Sequence, residues 1–184
     1  MASYTLWTNQ NRAVLEQIER DGFYIAREQY IKPAVSGYSD IMLFLYRWLA
    51  ENMPIQDVRP KDAKFPVWAA LSTSLAYPPT ENRVLIKASV PEEYFCCINI
   101  VKWTRVSNYC YLPADEEDLK AHHDLLKKYG ADDAKAIMTP FYPLIKRKIL
   151  NSWKRLFEGS IPTDEGIYAL MWEMRQEWIE EIIT

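Results

Sequence analysis

The sequence predicts an α+β fold: one globular domain over 1–184, with a small sheet, an N-terminal β-α-β opening and several packed amphipathic helices. Three observations predict it. Short β-prone runs alternate with segments whose apolar residues recur every three or four positions. Glycines and prolines fall between these segments, where helices stop and chains turn. A chain of 184 residues with 49% hydrophobic and 26% charged residues has globular composition, and it buries roughly 70% of its unfolded surface.

Tyr4, Leu6 and Trp7 form the first β-prone run. Thr8 or Asn9 then caps a helix carrying Ala13, Val14, Leu15 and Ile18. Gly22 stops that helix, because a residue without Cβ enters the left-handed C′ conformation, and Phe23 to Ala26 read as a second strand. Ser39 and Asp40 precede Ile41, Met42, Leu45, Trp48 and Leu49, a helical apolar face that ends before Pro54. Residues 54 to 64 read as a loop, and Pro66 to Leu71 as a central strand. Val84, Ile86, Ala88 and Val90 alternate with Lys87 and Ser89, the pattern of a strand covered on one face.

Pro91, Glu92 and Glu93 have the composition of a helix start, and a similar start recurs at Pro113 to Glu117, with Gly130 as its stop. Leu144, Ile145, Ile149, Trp153, Leu156 and Phe157 follow helical spacing. In the tail, Ile167, Met171, Met174, Trp178 and Ile182 fit a helix, while Gly166 to Met174 equally fits a buried strand; periodicity leaves both open.

Twenty-two Lys and Arg against twenty-five Asp and Glu give a net charge of −3, so no global cationic field favours bulk nucleic-acid binding or a membrane surface. No apolar stretch approaches the roughly 18 residues that cross a bilayer, and the first residues lack an export signature. Cys96, Cys97 and Cys110 are odd in number, and two are adjacent, so a reducing, cytoplasmic setting without bridges is expected. Aromatic residues reach 14%, with seven Trp and twelve Tyr, residues that suit wet clefts and protein interfaces as well as cores.

Phosphate-loop, dinucleotide-fold, serine-hydrolase and zinc-protease motifs are absent from the sequence. His122 and His123 point about 100° apart on a helix and do not converge on one metal ion, so both read as solvated. Asp115 to Asp118 and Asp132 to Asp133 read as helix starts, and Lys146 to Lys148 as a solvated face. The remaining candidates are polar groups that follow strands. They are Thr8, Asn9 and Gln10 beside Trp7, and Ser72, Thr73 and Ser74 after Trp68; hydroxyls there hold a ribose or amide while an indole stacks on a planar ring. Glu173 sets a carboxylate in an apolar segment.

Leu6-Trp7-Thr8-Asn9-Gln10, Gly22-Phe23-Tyr24, Phe65-Pro66-Val67-Trp68-Ala69, Val84-Leu85-Ile86 with Val90-Pro91, Asn151 through Phe157, and Ile167 through Met174 occur in an order that resembles the bacterial family called domain of unknown function 3841. After Val90-Pro91 the chain departs from that family's acidic, Trp-containing stretch: Phe95, Cys96, Cys97 and Ile98 precede Trp103. The resemblance implies a small cytosolic protein of α+β type and carries no reaction of its own.

The chain also looks like a distant ADP-ribosyltransferase: a strand, a helix, a strand leading into Ser-Thr-Ser, and a glutamate on a late strand. That likeness implies NAD as co-substrate, Trp7, Thr8, Gln10, Trp68, Ser72 and Thr73 as NAD-binding residues, Glu173 as the catalytic carboxylate, and no metal. The competing reading is a non-catalytic domain that uses an aromatic-rich surface to bind a protein partner or a small molecule.

Overall fold

The computed structural model describes residues 2–27, 39–160 and 166–184. Its architecture is α+β, with a six-stranded sheet, a two-stranded sheet and six α-helices among the described residues. By internal contacts the chain divides into two compact units, one made of Met1–Cys97 and Ile161–Thr184, the other of Ile98–Ser160.

The first unit is built on β1 (Ser3–Asn11), which pairs antiparallel along its whole length with β4 (Arg83–Pro91), from Ser3 opposite Pro91 to Asn11 opposite Arg83. The other edge of β1 takes β3 (Val67–Ala70), with Trp7 opposite Ala70. Strand β3 pairs antiparallel with β6 (Ile167–Met171), and β4 with β8 (Ile179–Ile183). With β5 (Phe95–Asn99) the order is β5-β6-β3-β1-β4-β8. Leu6, Val67, Ala69, Ala88, Val90, Ala169 and Met171 enter one core cluster with Val14 and Ile18 of α1 (Ala13–Asp21) and Leu43 of α2 (Ser39–Asn52). Val14 and Ile18 lie four residues apart and so share one helix face; burying each such side chain contributes about 1.5–3 kcal/mol. A separate ladder joins β2 (Phe23–Ile25) to β7 (Glu173–Arg175).

The opening is β-α-β, with its joints shifted. Strand β1 runs through Thr8 and Asn9 to Asn11, because β4 offers partners that far, and Asn11 Oδ1 then accepts from the Ala13 N–H at 2.9 Å. Gly22 does end α1: its φ is +79°, and its N–H bonds the Ile18 carbonyl at 2.8 Å. The expected helix at Pro91 is a single 3₁₀ turn, Glu92–Tyr94, followed by β5. Phe95, Cys96, Cys97 and Ile98 are all buried, and a strand buries consecutive side chains on both faces where an amphipathic helix does not. The tail resolves as strands for the same reason: Ile167, Ala169, Leu170 and Met171 are all buried. The reading of Ile41 in the α2 face lies outside the residues whose side chains are described.

The second unit contains α3 (Ile100–Ser107), α4 (Glu116–Tyr129), α5 (Asp133–Met138) and α6 (Pro143–Ser152), which tightens into a 3₁₀ turn at Trp153–Phe157. Asn99, Asp115 and Asp132 cap three of these helices, each accepting from N–H groups of the first turn. Gly130, at φ +60°, closes α4. Leu144 is exposed despite its helical spacing with Ile145 and Ile149, whereas Trp153 is fully buried and donates from Nε1 to the Cys110 carbonyl at 2.8 Å. No helix among the described residues is long and apolar enough to cross a membrane.

All three cysteines are free. Burial pushes the Cys96 thiol up to about 12 and the Cys97 thiol up to about 11, so both stay protonated at pH 8. Under native conditions iodoacetamide is expected to modify the half-exposed Cys110 first and to reach Cys96 and Cys97 only on unfolding; mass spectrometry of a time course showing equal labelling of all three would contradict a buried β5.

Candidate functional site

Alternation along β1 sends Leu6, Thr8 and Gln10 to the face of the main core and Trp7 and Asn9 to the other. Four of the residues singled out by the sequence gather at the centre of the sheet. The Thr8 hydroxyl, 1% exposed, donates to the Trp68 carbonyl at 2.7 Å and accepts from Gln10 Nε2 at 2.7 Å. The half-buried Trp7 ring has Lys87 Nζ 5.7 Å from its centroid. Trp68 meets Tyr46 and Tyr168 edge-on, each with centroids 6.3 Å apart. Both indoles are partly accessible, the condition for stacking on a planar ring.

Ser72 and Thr73 sit just past the end of β3. Ser72 Oγ and Ser74 Oγ are 2.8 Å apart, and the 3₁₀ turn Thr73–Leu75 is tied to β6 by the Tyr168 hydroxyl, which donates to the Leu75 carbonyl at 3.1 Å. Asn9 braces the same loop, donating from Nδ2 to the carbonyls of Tyr77 and Pro78.

Glu173 stands at the opposite end. Val67 pairs with Met171 and Ala70 with Tyr168, so the Ser72 turn extends beyond one end of the β3–β6 ladder and Glu173 beyond the other, on the order of 20 Å apart at the rise of extended chain. The structure therefore does not bring Glu173 and the Ser72–Thr73 turn together. Glu173 is 8% exposed and accepts from both Nε and an Nη of Arg175 at 2.7 Å. Desolvation works against the Arg175 charge, but the hydrogen bond and charge of Glu173 outweigh it and raise the guanidinium above its ordinary value. Arg175 also lies 4.6 Å over Tyr94 and 5.1 Å over Trp178, and with Phe23 and Gln176 it lines an open cavity of about 560 Å³.

Sequence reasoning missed one polar cluster, in the second unit. His122 is fully buried rather than solvated, with Nε2 2.6 Å from Asp133 Oδ1, and its ring stacks on Tyr111 at 3.9 Å and 14°. Nδ1 has no hydrogen-bond partner among the described residues. His123 is exposed, so the argument that the two rings diverge holds. The Tyr111 hydroxyl donates to both oxygens of Asp118 at 2.8 and 2.9 Å. The signal for His122 is its place in α4, one turn beyond Asp118 and so on the same helix face. No group of three or more His, Cys, Asp or Glu suited to a metal occurs among the described residues.

The fold and the central cluster define an α+β protein organised around an antiparallel sheet with partly accessible indoles. The chain belongs to the family described as domain of unknown function (DUF3841), whose model matches residues 5–180. No curated protein and no solved structure matches it.

Thr8 offers a direct test of the central cluster. Thr8→Val removes a buried hydroxyl that both donates and accepts, leaving the Trp68 carbonyl and Gln10 amide without it, and is expected to cost about 1–3 kcal/mol in urea denaturation, while Thr8→Ser loses less. Equal stability of Thr8→Val and the natural chain would show that the hydroxyl does not hold the cluster.

Proposed function

We propose that this chain binds NAD and acts as an ADP-ribosyltransferase-like enzyme. The observation that carries this reading is the pairing of β1 with β3, which sets Trp7 and Trp68 on one face of the sheet with Ser72-Thr73-Ser74 at the end of β3; Glu173 lies beyond the other end of β3 and β6, so its catalytic role requires NAD to extend along these strands. Trp7 and Trp68 share one face of the sheet and supply stacking area, and Ser72 and Thr73 past the end of β3 supply neutral hydrogen-bonding groups for ribose and amide, while Thr8 and Gln10, expected from sequence to bind NAD, lie on the opposite face and brace the strands instead. Strand β1 carries no Arg or His, so the grip on NAD rests on these neutral groups.

In the reaction the bond between nicotinamide and ribose breaks with its electron pair passing to the nicotinamide nitrogen, which leaves an oxocarbenium-like carbon. An acceptor nucleophile forms a new bond to that carbon and releases its proton. Glu173 stabilises the positive charge or orients the acceptor, exchanging Arg175 for the reacting cation.

Calorimetry with NAD and a nicotinamide-release assay test the proposal. The natural chain is expected to bind NAD and release nicotinamide; Trp7→Ala weakens binding, and Glu173→Gln slows release by about 10²-fold or more. Absence of binding refutes the reading. Binding without release favours the small-molecule-binding alternative. Asp164 and Glu165 precede Gly166 in the sequence and lie outside the described residues; release that survives Glu173→Gln but is lost in Glu165→Gln removes Glu173 from the catalytic role.

The protein-interaction reading is favoured by one observation, the exposed side chains of Met138, Phe141 and Leu144, spaced three residues apart where α5 leads into α6. If this patch is an interface between copies of the chain, the sedimentation coefficient rises with concentration and Phe141→Ser with Leu144→Ser abolishes the rise; a concentration-independent value refutes it.

A further inference from the structure

We propose that the second unit holds an oxyanion site that takes the phosphate group of a small organic molecule. The site is built on one helix face. Arg147, Lys148, Asn151, Ser152 and Arg155 follow one another at offsets of one, four, five and eight residues, which aligns them along α6 and the 3₁₀ turn after it. With Tyr111 they line an open cavity of about 370 Å³. The run Lys146 to Lys148, read from sequence as a plain solvated face, is thus divided: Lys146 Nζ donates to the Ile137 carbonyl at 2.7 Å, while Arg147 and Lys148 turn to the cavity.

Charge at this cavity is unbalanced. Among the described residues no lining side chain is acidic, and the carboxylate nearest its cations is Asp118, 3.8 Å from Lys148 Nζ and 3.9 Å from Arg155 Nη2. Those distances exceed those of charge-assisted hydrogen bonds, and the Asp118 oxygens already accept from the Tyr111 hydroxyl and from the Ala114 N–H at 2.9 Å. Asp118 therefore anchors Tyr111 and offsets about one of three positive charges, leaving a surplus close to the charge of a phosphate monoester. Arg155 is held in place, donating to the Leu112 carbonyl at 2.9 Å, and Lys148 Nζ sits 4.8 Å over the Tyr111 ring, so two of the three cations are positioned before any ligand arrives. Two guanidinium forks beside the Asn151 amide suit a group with several oxygens better than a single carboxylate. The cavity also exceeds the roughly 30 Å³ share of a water many times over, which leaves room for the organic part of the ligand.

A structural role for the same cations is that Arg155 ties Leu112 and, with Lys148, packs beside Tyr111 and Asp118. That role requires no ligand and predicts a stability change alone. The site is independent of the NAD reading, since it draws no residue from β1, β3 or β7.

Calorimetric titration of the whole chain at low ionic strength with ribose 5-phosphate, pyrophosphate and acetate decides the matter. Expected is saturable binding of ribose 5-phosphate that weakens with added salt and falls about tenfold or more in Arg147→Gln and again in Lys148→Gln, with acetate inert. Arg147 is exposed, so its substitution leaves the fold intact, and circular dichroism verifies this. No saturable binding of ribose 5-phosphate, binding of pyrophosphate alone, or equal affinity in the Arg147→Gln, Lys148→Gln double variant each overturns the proposal. A thermal shift in the variants without any change in ligand affinity assigns the cations to that structural role and overturns it as well.

Discussion

The ladder between β1 and β4 is the constraint on which the first unit depends. Nine successive residue pairs bind the N-terminal strand to a partner about eighty positions away, and β3 then adds to the free edge of β1 while β8 adds to the free edge of β4. Because side chains alternate with a period of two, this register decides what every residue of β1 does. Leu6 enters the core, Trp7 faces the opposite side, and Thr8 returns to the core face, where its hydroxyl is satisfied within the sheet. A slip of one residue would bury Trp7 and Asn9 in place of Leu6 and Thr8, so the pattern of the strand and its pairing enforce each other.

The same register governs the candidate chemistry. It sets Trp7 and Trp68 on one face and Thr8 and Gln10 on the other, because β1 and β3 pair, and it sets the Ser72 turn and Glu173 at opposite ends of β3 and β6, because those strands run antiparallel. A glutamate on a late strand and a serine-rich turn on an earlier one share an edge of the sheet only if the glutamate lies at the end of its strand that faces the turn. Here it lies at the other end and is neutralised by Arg175, whose guanidinium also covers two aromatic rings. The ion pair occupies Oε1 of a nearly buried carboxylate, and its exchange is the step on which a catalytic role for Glu173 depends.

Features governed by local chemistry were legible in the sequence. Asp115 and Asp132 as caps, Gly22 and Gly130 as stops, and the apolar face of α2 all follow from contacts within a few residues. Features that depend on distant partners were not. Strand β1 continues past Thr8 because β4 is there, and Phe95 to Ile98 become a strand despite the helix-like Pro-Glu-Glu before them. The tail is buried on both faces, which erases the period that separates strand from helix. Among the site residues, the two strand ends were legible as separate places, whereas the pairing that sets Trp7 and Trp68 on one face and the direction of β6 that removes Glu173 are properties of topology. His122 was misplaced because adjacency in sequence speaks to the direction of a ring and not to what packs on it; Tyr111 does that from eleven positions away.

Net charge misleads in the same way. A total of −3 speaks to the field over the whole surface, but a field inside a cavity is set by the few charges within a Debye length and by the low-dielectric walls between them. Arg147, Lys148 and Arg155 collect on one helical face because positions seven and eight apart coincide in direction, while many of the acidic residues are spent at helix starts, as Asp115 and Asp132 are. Capping thus removes carboxylates from the cavity wall even as it leaves them in the sum. An acidic chain holds a basic hollow through this partition, and the field that the proposed oxyanion meets is that of the hollow and not that of the sum.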